Sequence, residues 1–200
     1  MAVDTTIALI TLADAKSYLK VATGTTSEDA IISDLINEVS VWINSYCGRQ
    51  FIQTTYTEYY EGTGDSSLVL KQFPVQSVTS LYRDVTRQWT VDTAIDLVHD
   101  VQLDADTGLL VLWNHENSFG TGPGIVKVVY SAGYPIGAVP YDLQLACRKM
   151  VAWKYFQDYS QRRFGVKSEA MQDRTVTYTE EALLADVEQI LNLYKRVRCE

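Results

Sequence analysis

The stretch WINSYCGRQF, from Trp42 to Phe51, places a thiol (Cys47), a glycine (Gly48) and a guanidinium (Arg49) in succession between aromatic residues. Such a set could serve nucleophilic chemistry, because a nearby cation lowers a thiol's pKa and the thiolate is the attacking form. The same stretch also reads as the end of a helix. Ile31, Ile32, Leu35, Ile36, Val39, Trp42, Ile43 and Tyr46 keep the i, i+3, i+4, i+7 spacing of an amphipathic helix. The pattern runs out at about Cys47. Gly48 then falls where a positive φ is wanted and a Cβ would clash. A reactive cysteine prefers a helix N-terminus, where the dipole stabilises the thiolate. Cys47 stands at the opposite end, with no histidine near it in sequence, so Cys47 and Gly48 are expected to be structural.

The other chemical candidates thin out in the same way. DADTG, Asp104 to Gly108, resembles the start of a calcium loop. Its glycine comes one residue early, and His115 stands where the bidentate Glu belongs. A hairpin turn is expected there. FGTGPG, Phe119 to Gly124, is glycine-rich but lacks GK[ST], and Pro123 removes an amide that a phosphate cradle would need. It reads as a hairpin loop. GTGDSS, Gly62 to Ser67, is not a GxSxG elbow. The two histidines, His99 and His115, form neither HxH nor HExxH. Glu180 and Glu181 sit at a helix start, where the dipole accounts for them. No catalytic, cofactor-binding or metal-ligating residue is assigned, and no cofactor is expected.

The elements that would carry these residues divide by position along the chain. Thr11-Leu12-Ala13-Asp14 has capping-box spacing with Asp in place of Glu, ahead of Leu12, Ala15 and Leu19 on one helical face. TTSEDAII places hydroxyls before acids, which marks the start of the long helix that ends at Cys47. From residue 53 to 131 the pattern turns to β. TTYTEYYEG alternates. SLVLKQFPVQSVTSLYRD holds two apolar runs about Pro74, which suits edge strands. RQWTVD, LVHDVQLD, GLLVLW and GIVKVVYSAGYP follow, and the frequent turns predict a meander or small barrel. A helix opens at Pro140 and runs to Arg162 and Arg163, with Gly165 beyond. Its apolar residues Leu143, Ala146, Cys147, Met150, Val151, Trp153 and Phe156 cover more than one face. GVKSEAMQDRTVTY is polar and reads as a loose segment. A last helix begins near Thr177 or Thr179, with Leu183, Val187, Ile190, Tyr194 and Val197 in one stripe. The expected class is α+β. The N- and C-terminal segments, residues 1–52 and 132–200, form a helical bundle, and an antiparallel β region, 53–131, is inserted between them.

Composition narrows the function. The chain of 200 residues carries 25 Asp and Glu against 17 Lys and Arg, net −8, which disfavours a broad grip on nucleic acid. No apolar run reaches membrane-spanning length, and the N-terminus lacks the basic region of a signal peptide. Three scattered cysteines, Cys47, Cys147 and Cys199, suggest free thiols in a reducing compartment. Thirteen tyrosines against five phenylalanines suit half-buried, wet contacts.

The order of segments is informative in itself. A helix ends in YCGR, a strand pair follows with the pattern L.L..FPV.SV, and Y.AGY is followed by P.DL..A. From about Leu9 to Phe156 this order resembles the head–tail connector (adaptor) family of tailed bacteriophages. The resemblance implies a structural, non-enzymatic virion protein, made in the host cytoplasm and placed at the head–tail interface. It implies a homo-oligomeric ring, typically of twelve subunits, beneath the portal protein. Such a ring extends the DNA channel, holds a downstream stopper or tail component, and lets DNA slide through without tight binding. It requires no membrane and no cofactor. The resemblance also points to the C-terminal helix as the partner contact, where Lys195, Arg196 and Arg198 form a positive cluster on an acidic chain. Two other readings stand beside it. One is a phage or bacterial carbohydrate- or receptor-binding module using the tyrosine-rich β region. The other is a hydrolase using Cys47 or Cys147, which needs a histidine beside a thiol in the fold.

Overall fold

A computed structural model describes residues 2–113, 118–135, 137–160, 168–171, 174–177 and 180–195. It is an α+β structure that divides into two compact units, residues 1–51 with 136–200, and residues 52–135.

The first unit is helical. Helix α1, Leu12–Leu19, starts on a complete capping box: Thr11 Oγ1 accepts from Asp14 N at 3.1 Å, and Asp14 Oδ2 accepts from Thr11 N at 3.1 Å. Helix α2, Asp29–Cys47, starts at Glu28 with no side-chain cap, so the hydroxyls of TTSEDAII do not cap it. Its buried line is Ile32, Ile36, Val39, Ile43 and Cys47. Ile31, Leu35, Trp42 and Tyr46 flank that line half-buried. Helix α3, Tyr141–Lys154, packs on both α1 and α2, which is why it buries Leu143, Ala146, Cys147, Met150 and Val151 on a broad face. Pro140 is the residue before the helix rather than its first turn. The α-helix stops at Lys154 and continues in the wider π pitch over Tyr155–Ser160. That change of pitch shifts which side chain turns inward. Tyr155 is buried, with its hydroxyl 2.5 Å from Glu28 Oε2, whereas Trp153 is half-buried and Phe156 is 41% exposed. The expected end of this helix, Arg162 to Gly165, lies outside the described residues. Helix α4, Glu180–Asn192, packs on α2 and α3 through Val187 and Leu191.

The second unit holds two three-stranded antiparallel sheets. One has the order β1–β6–β3, from Thr54–Thr63, Thr121–Ala132 and Val75–Arg83. The other has the order β2–β5–β4, from Ser67–Val69, Leu109–Leu112 and Val101–Asp104. A meander would pair neighbours in sequence. Here β6, the longest strand, takes the centre and receives β1 and β3 on its two sides. Val126, Val128, Tyr130 and Ala132 alternate inward along β6 and share one core with Leu70, Leu81, Leu110 and Phe119. DADTG forms the β4–β5 turn, with Thr107 Oγ1 donating to Asp104 Oδ2 at 2.8 Å. FGTGPG is not a hairpin loop: Thr121 and Gly122 already pair with Thr63 and Gly62 inside the sheet. Glycine permits that approach, since a Cβ on Gly62 would lie 2.4 Å from Gly120 O. RQWTVD forms no strand; Val91–Thr93 is a short 3-10 turn.

Within this unit Tyr60 of β1 and Tyr130 of β6 turn onto one carboxylate, while Tyr59 of β1 is 51% exposed and packs on Trp89 with ring centroids 5.5 Å apart. Glu58 Oε2 accepts from Tyr130 at 2.7 Å and also from the Tyr60 hydroxyl. Those hydroxyls in turn accept from Gln72 N at 3.2 Å and Lys71 N at 2.9 Å. Tyr56 packs against Tyr130 with ring centroids 5.6 Å apart. Tyr60 and Tyr130 thus hold the segment between β2 and β3 in place.

Part of the segment expected to be loose is ordered. Ser168–Met171 (β7) and Arg174–Thr177 (β8) pair antiparallel, from Ser168↔Thr177 to Met171↔Arg174.

Candidate interface at the end of the last helix

Cys47 ends α2, and Gly48 follows it in the left-handed conformation with φ +67°. The Cys47 thiol is 1% exposed and donates to Leu191 O at 3.6 Å. Burial pushes it up to about 11, outweighing the opposing pull of Arg49 and Lys195. Cys147 is fully buried, 4.0 Å from Ser40 Oγ, and burial pushes it up to about 12. Among the described residues neither thiol has a histidine partner. His99 is exposed and its Nδ1 lies 2.7 Å from Asp96, which raises its pKa, while His115 lies outside the described residues. Both thiols are therefore neutral and covered at pH 7–8. Iodoacetamide is expected to leave Cys47 and Cys147 unmodified in the folded protein and to label both in denaturant. Rapid native labelling of Cys47, read by peptide mass spectrometry, would restore the nucleophile reading. The same shift has a consequence at high pH. The folded thiol ionises near 11 against an ordinary 9.0, so the contribution of Cys47 to stability is complete below 9 and falls away as pH rises towards 11.

Around Cys47 three elements meet. Tyr194, two residues past α4, sends its hydroxyl to both Asp142 oxygens, at 2.7 and 2.6 Å. Its ring stands edge-on to Phe51 at 6.0 Å, and the Arg49 guanidinium lies 4.8 Å above that same Phe51 ring. Tyr46 donates to Asn192 Oδ1 at 3.1 Å and stacks on Trp42 at 5.4 Å. The end of α4 is thus tied to the end of α2 and the start of α3.

Lys195 belongs to this cluster. It is exposed, with its ammonium 4.9 Å from the centre of the Tyr46 ring. Arg196 and Arg198 lie outside the described residues. Sequence reasoning had singled out the cation but not the aromatic plate beneath it. The available signal was the i, i+4 pair Trp42 and Tyr46 at the rim of the α2 stripe. Asp142, in the first turn of α3, both suits the helix dipole and holds the Tyr194 hydroxyl. The arrangement offers an exposed cation on an aromatic surface beside Leu193, which is 80% exposed. Among the described residues no cluster of His, Cys, Asp and Glu could hold a metal ion, and no helix is long and apolar enough to cross a membrane.

The arrangement can dock a partner and contains no reacting group. The family model "Head completion protein" matches residues 8–197, nearly the whole chain. The chain belongs to the head completion protein family. As a head completion protein it is a structural component of the phage head–tail assembly, in a family of virion proteins and not of enzymes. No curated protein sequence matches it. Three solved structures are similar over 100% of this chain. A chain in the neck of an empty gene transfer agent particle computed with C6 symmetry shares 20% identity, with 95% of that chain covered and a TM-score of 0.64. One in the virion of the native particle shares 20%, covered over 95% with a TM-score of 0.62. One in the native neck computed with C12 symmetry shares 17%, covered over 94% with a TM-score of 0.59. At these identities the likeness is one of fold, and it runs through the β-rich unit as well as the helical one.

Proposed function

We propose that this head completion protein forms a ring beneath the portal, extends the DNA channel, and joins the head to a stopper or tail component. The observation that carries this reading is the family match over residues 8–197, supported by the end-to-end likeness of fold to chains of symmetric particle necks. In this reading the two ends of the chain, residues 1–52 and 132–200, build the helical ring body, and 53–131 is a β insertion. The ring has twelve copies, matching the symmetry used for one of those necks. Lys195, Arg196 and Arg198 contact the portal, the exposed ammonium of Lys195 held out on Tyr46. The net charge of −8 keeps DNA moving: little counterion release is available to hold phosphate, and a channel of like charge repels it. No catalytic step and no cofactor are assigned. Two of the tyrosines that the glycan-binding alternative would use, Tyr60 and Tyr130, are committed to Glu58.

The test is a particle preparation lacking this chain. Heads are expected to fill with DNA and remain tailless, with an uncovered portal vertex by electron cryomicroscopy. Adding the purified protein is expected to restore tail joining at least tenfold. Tailed particles with an unchanged neck in its absence would overturn the proposal.

A further inference from the structure

The β7–β8 hairpin pairs only with itself, and among the described residues no other helix or strand packs on it substantially. A lone two-stranded hairpin is marginal in water; a third strand or a packed face is needed to stabilise it. Among the described residues of its own unit the hairpin therefore has no such partner.

The β-rich unit has the complementary deficiency. β1 lies at the edge of its sheet, with β6 on one side and, among the described residues, no strand on the other. β3, the opposite edge, is partly closed by its own chain: Ile95 N donates to Leu81 O at 2.8 Å, and Tyr82 bridges Ala94. Natural edges are usually blocked by lysine, proline or shortness. β1 runs for ten residues and contains neither lysine nor proline, and its pairing with β6 shifts register between Tyr60 and Gly62. Charge also matches. Residues 161–179 carry Arg162, Arg163, Lys167 and Arg174 against Glu169 and Asp173, a local excess of two positive charges on a chain of net −8. β1 presents the exposed Glu61 and carries no cation, its other acid, Glu58, being held by Tyr60 and Tyr130.

We infer that the β7–β8 hairpin of one copy adds to the open β1 edge of a neighbouring copy, about Thr57–Thr63, so that the sheet continues from subunit to subunit. This rests on the ring reading above. Each copy carries one hairpin and one open edge. Two different patches on one subunit make a head-to-tail contact, the type that closes into rings. Backbone pairing of this kind supplies affinity through main-chain hydrogen bonds, with the opposed charges setting the partner.

The experiment uses the full chain in assembled particles, with a photo-reactive benzoylphenylalanine at Val176 and a mixture of isotope-labelled and unlabelled copies. Illumination is expected to join position 176 to residues 54–63 of a different copy. The yield should be at least tenfold above that of the same group placed at Val98, which is 84% exposed and outside the proposed contact. A link confined to one copy, or made to a different protein such as the portal, would overturn the inference. Imaging the same particles separates two failures. A ring without the 176-to-β1 link removes this contact and leaves the ring standing, whereas copies not arranged in a ring remove both.

Discussion

Gly133→Ala is expected to destabilise the β-rich unit by about 3–5 kcal/mol, the sum of backbone strain and overpacking at a site that cannot relax. Gly133 follows the last residue of β6 with φ +107°. A Cβ there would lie 2.8 Å from both the carbonyl carbon and oxygen of Ile52, and 2.9 Å from Gln53 N. All three are backbone atoms, so no side chain can swing aside. The backbone of Gly133 is itself held. Its N–H donates to Pro74 O at 2.8 Å, and its carbonyl accepts from Gln76 Nε2 at 2.9 Å. Next to it, Gln53 N donates to Tyr134 O at 2.9 Å, fixing the chain entering β1 against the chain leaving β6. Urea unfolding followed by tyrosine and tryptophan fluorescence measures the loss. Gly24, with nothing within 4 Å of its Cβ position, is the matched control, and Gly24→Ala is expected to change stability by less than about 0.5 kcal/mol. A Gly133→Ala loss below 1 kcal/mol would show that the two chain segments can separate freely.

Lys16→Met is expected to cost about 2–4 kcal/mol in the helical unit, although it replaces a charged residue by an apolar one in a helix. Lys16 is 3% exposed. Its ammonium donates to Thr23 O at 3.2 Å, to Thr25 O at 2.6 Å and to Asp29 Oδ1 at 2.6 Å. One side chain thus closes the loop between α1 and α2 and pairs with the first residue of α2. Methionine fills the same space and leaves two carbonyls and a carboxylate without that donor. Asp29 keeps some access to water, its side chain being 30% exposed, which places the expected cost below that of a sealed ion pair. Asp29→Asn in the Lys16→Met background should recover part of the loss, because the unpaired charge is then gone. If Lys16→Met unfolded within 0.5 kcal/mol of the parent, the ammonium would be dispensable to the loop.

What could be read from the sequence was what short range decides. The Thr11–Asp14 capping box, the stop at Cys47–Gly48 and the spacing of α2 each depend on residues within a turn or two, and each stands in the structure. The α+β class followed from the same local periodicities, and the order of short motifs pointed to the family later matched over residues 8–197. Of the candidate interface the sequence singled out the cations Lys195, Arg196 and Arg198, a cluster at a helix end to which the family resemblance pointed. Tyr46, Asn192, Tyr194 and Asp142 come together only when α2, α3 and α4 pack. Lys16 illustrates the same limit: a lysine on a short helix looks like a solvated face until a loop folds its carbonyls over it. Pairing in the sheets was likewise settled by tertiary structure. β6 takes the central place through its partners β1 and β3, whose nearest paired residue in sequence is Arg83 against Val126. Gly120 to Gly124 suits a turn by composition, and Thr121 and Gly122 nevertheless join the sheet, because close approach to β1 needs the same missing Cβ that a turn does. Local propensity cannot separate those two uses of glycine, since the difference lies in which distant backbone arrives beside it.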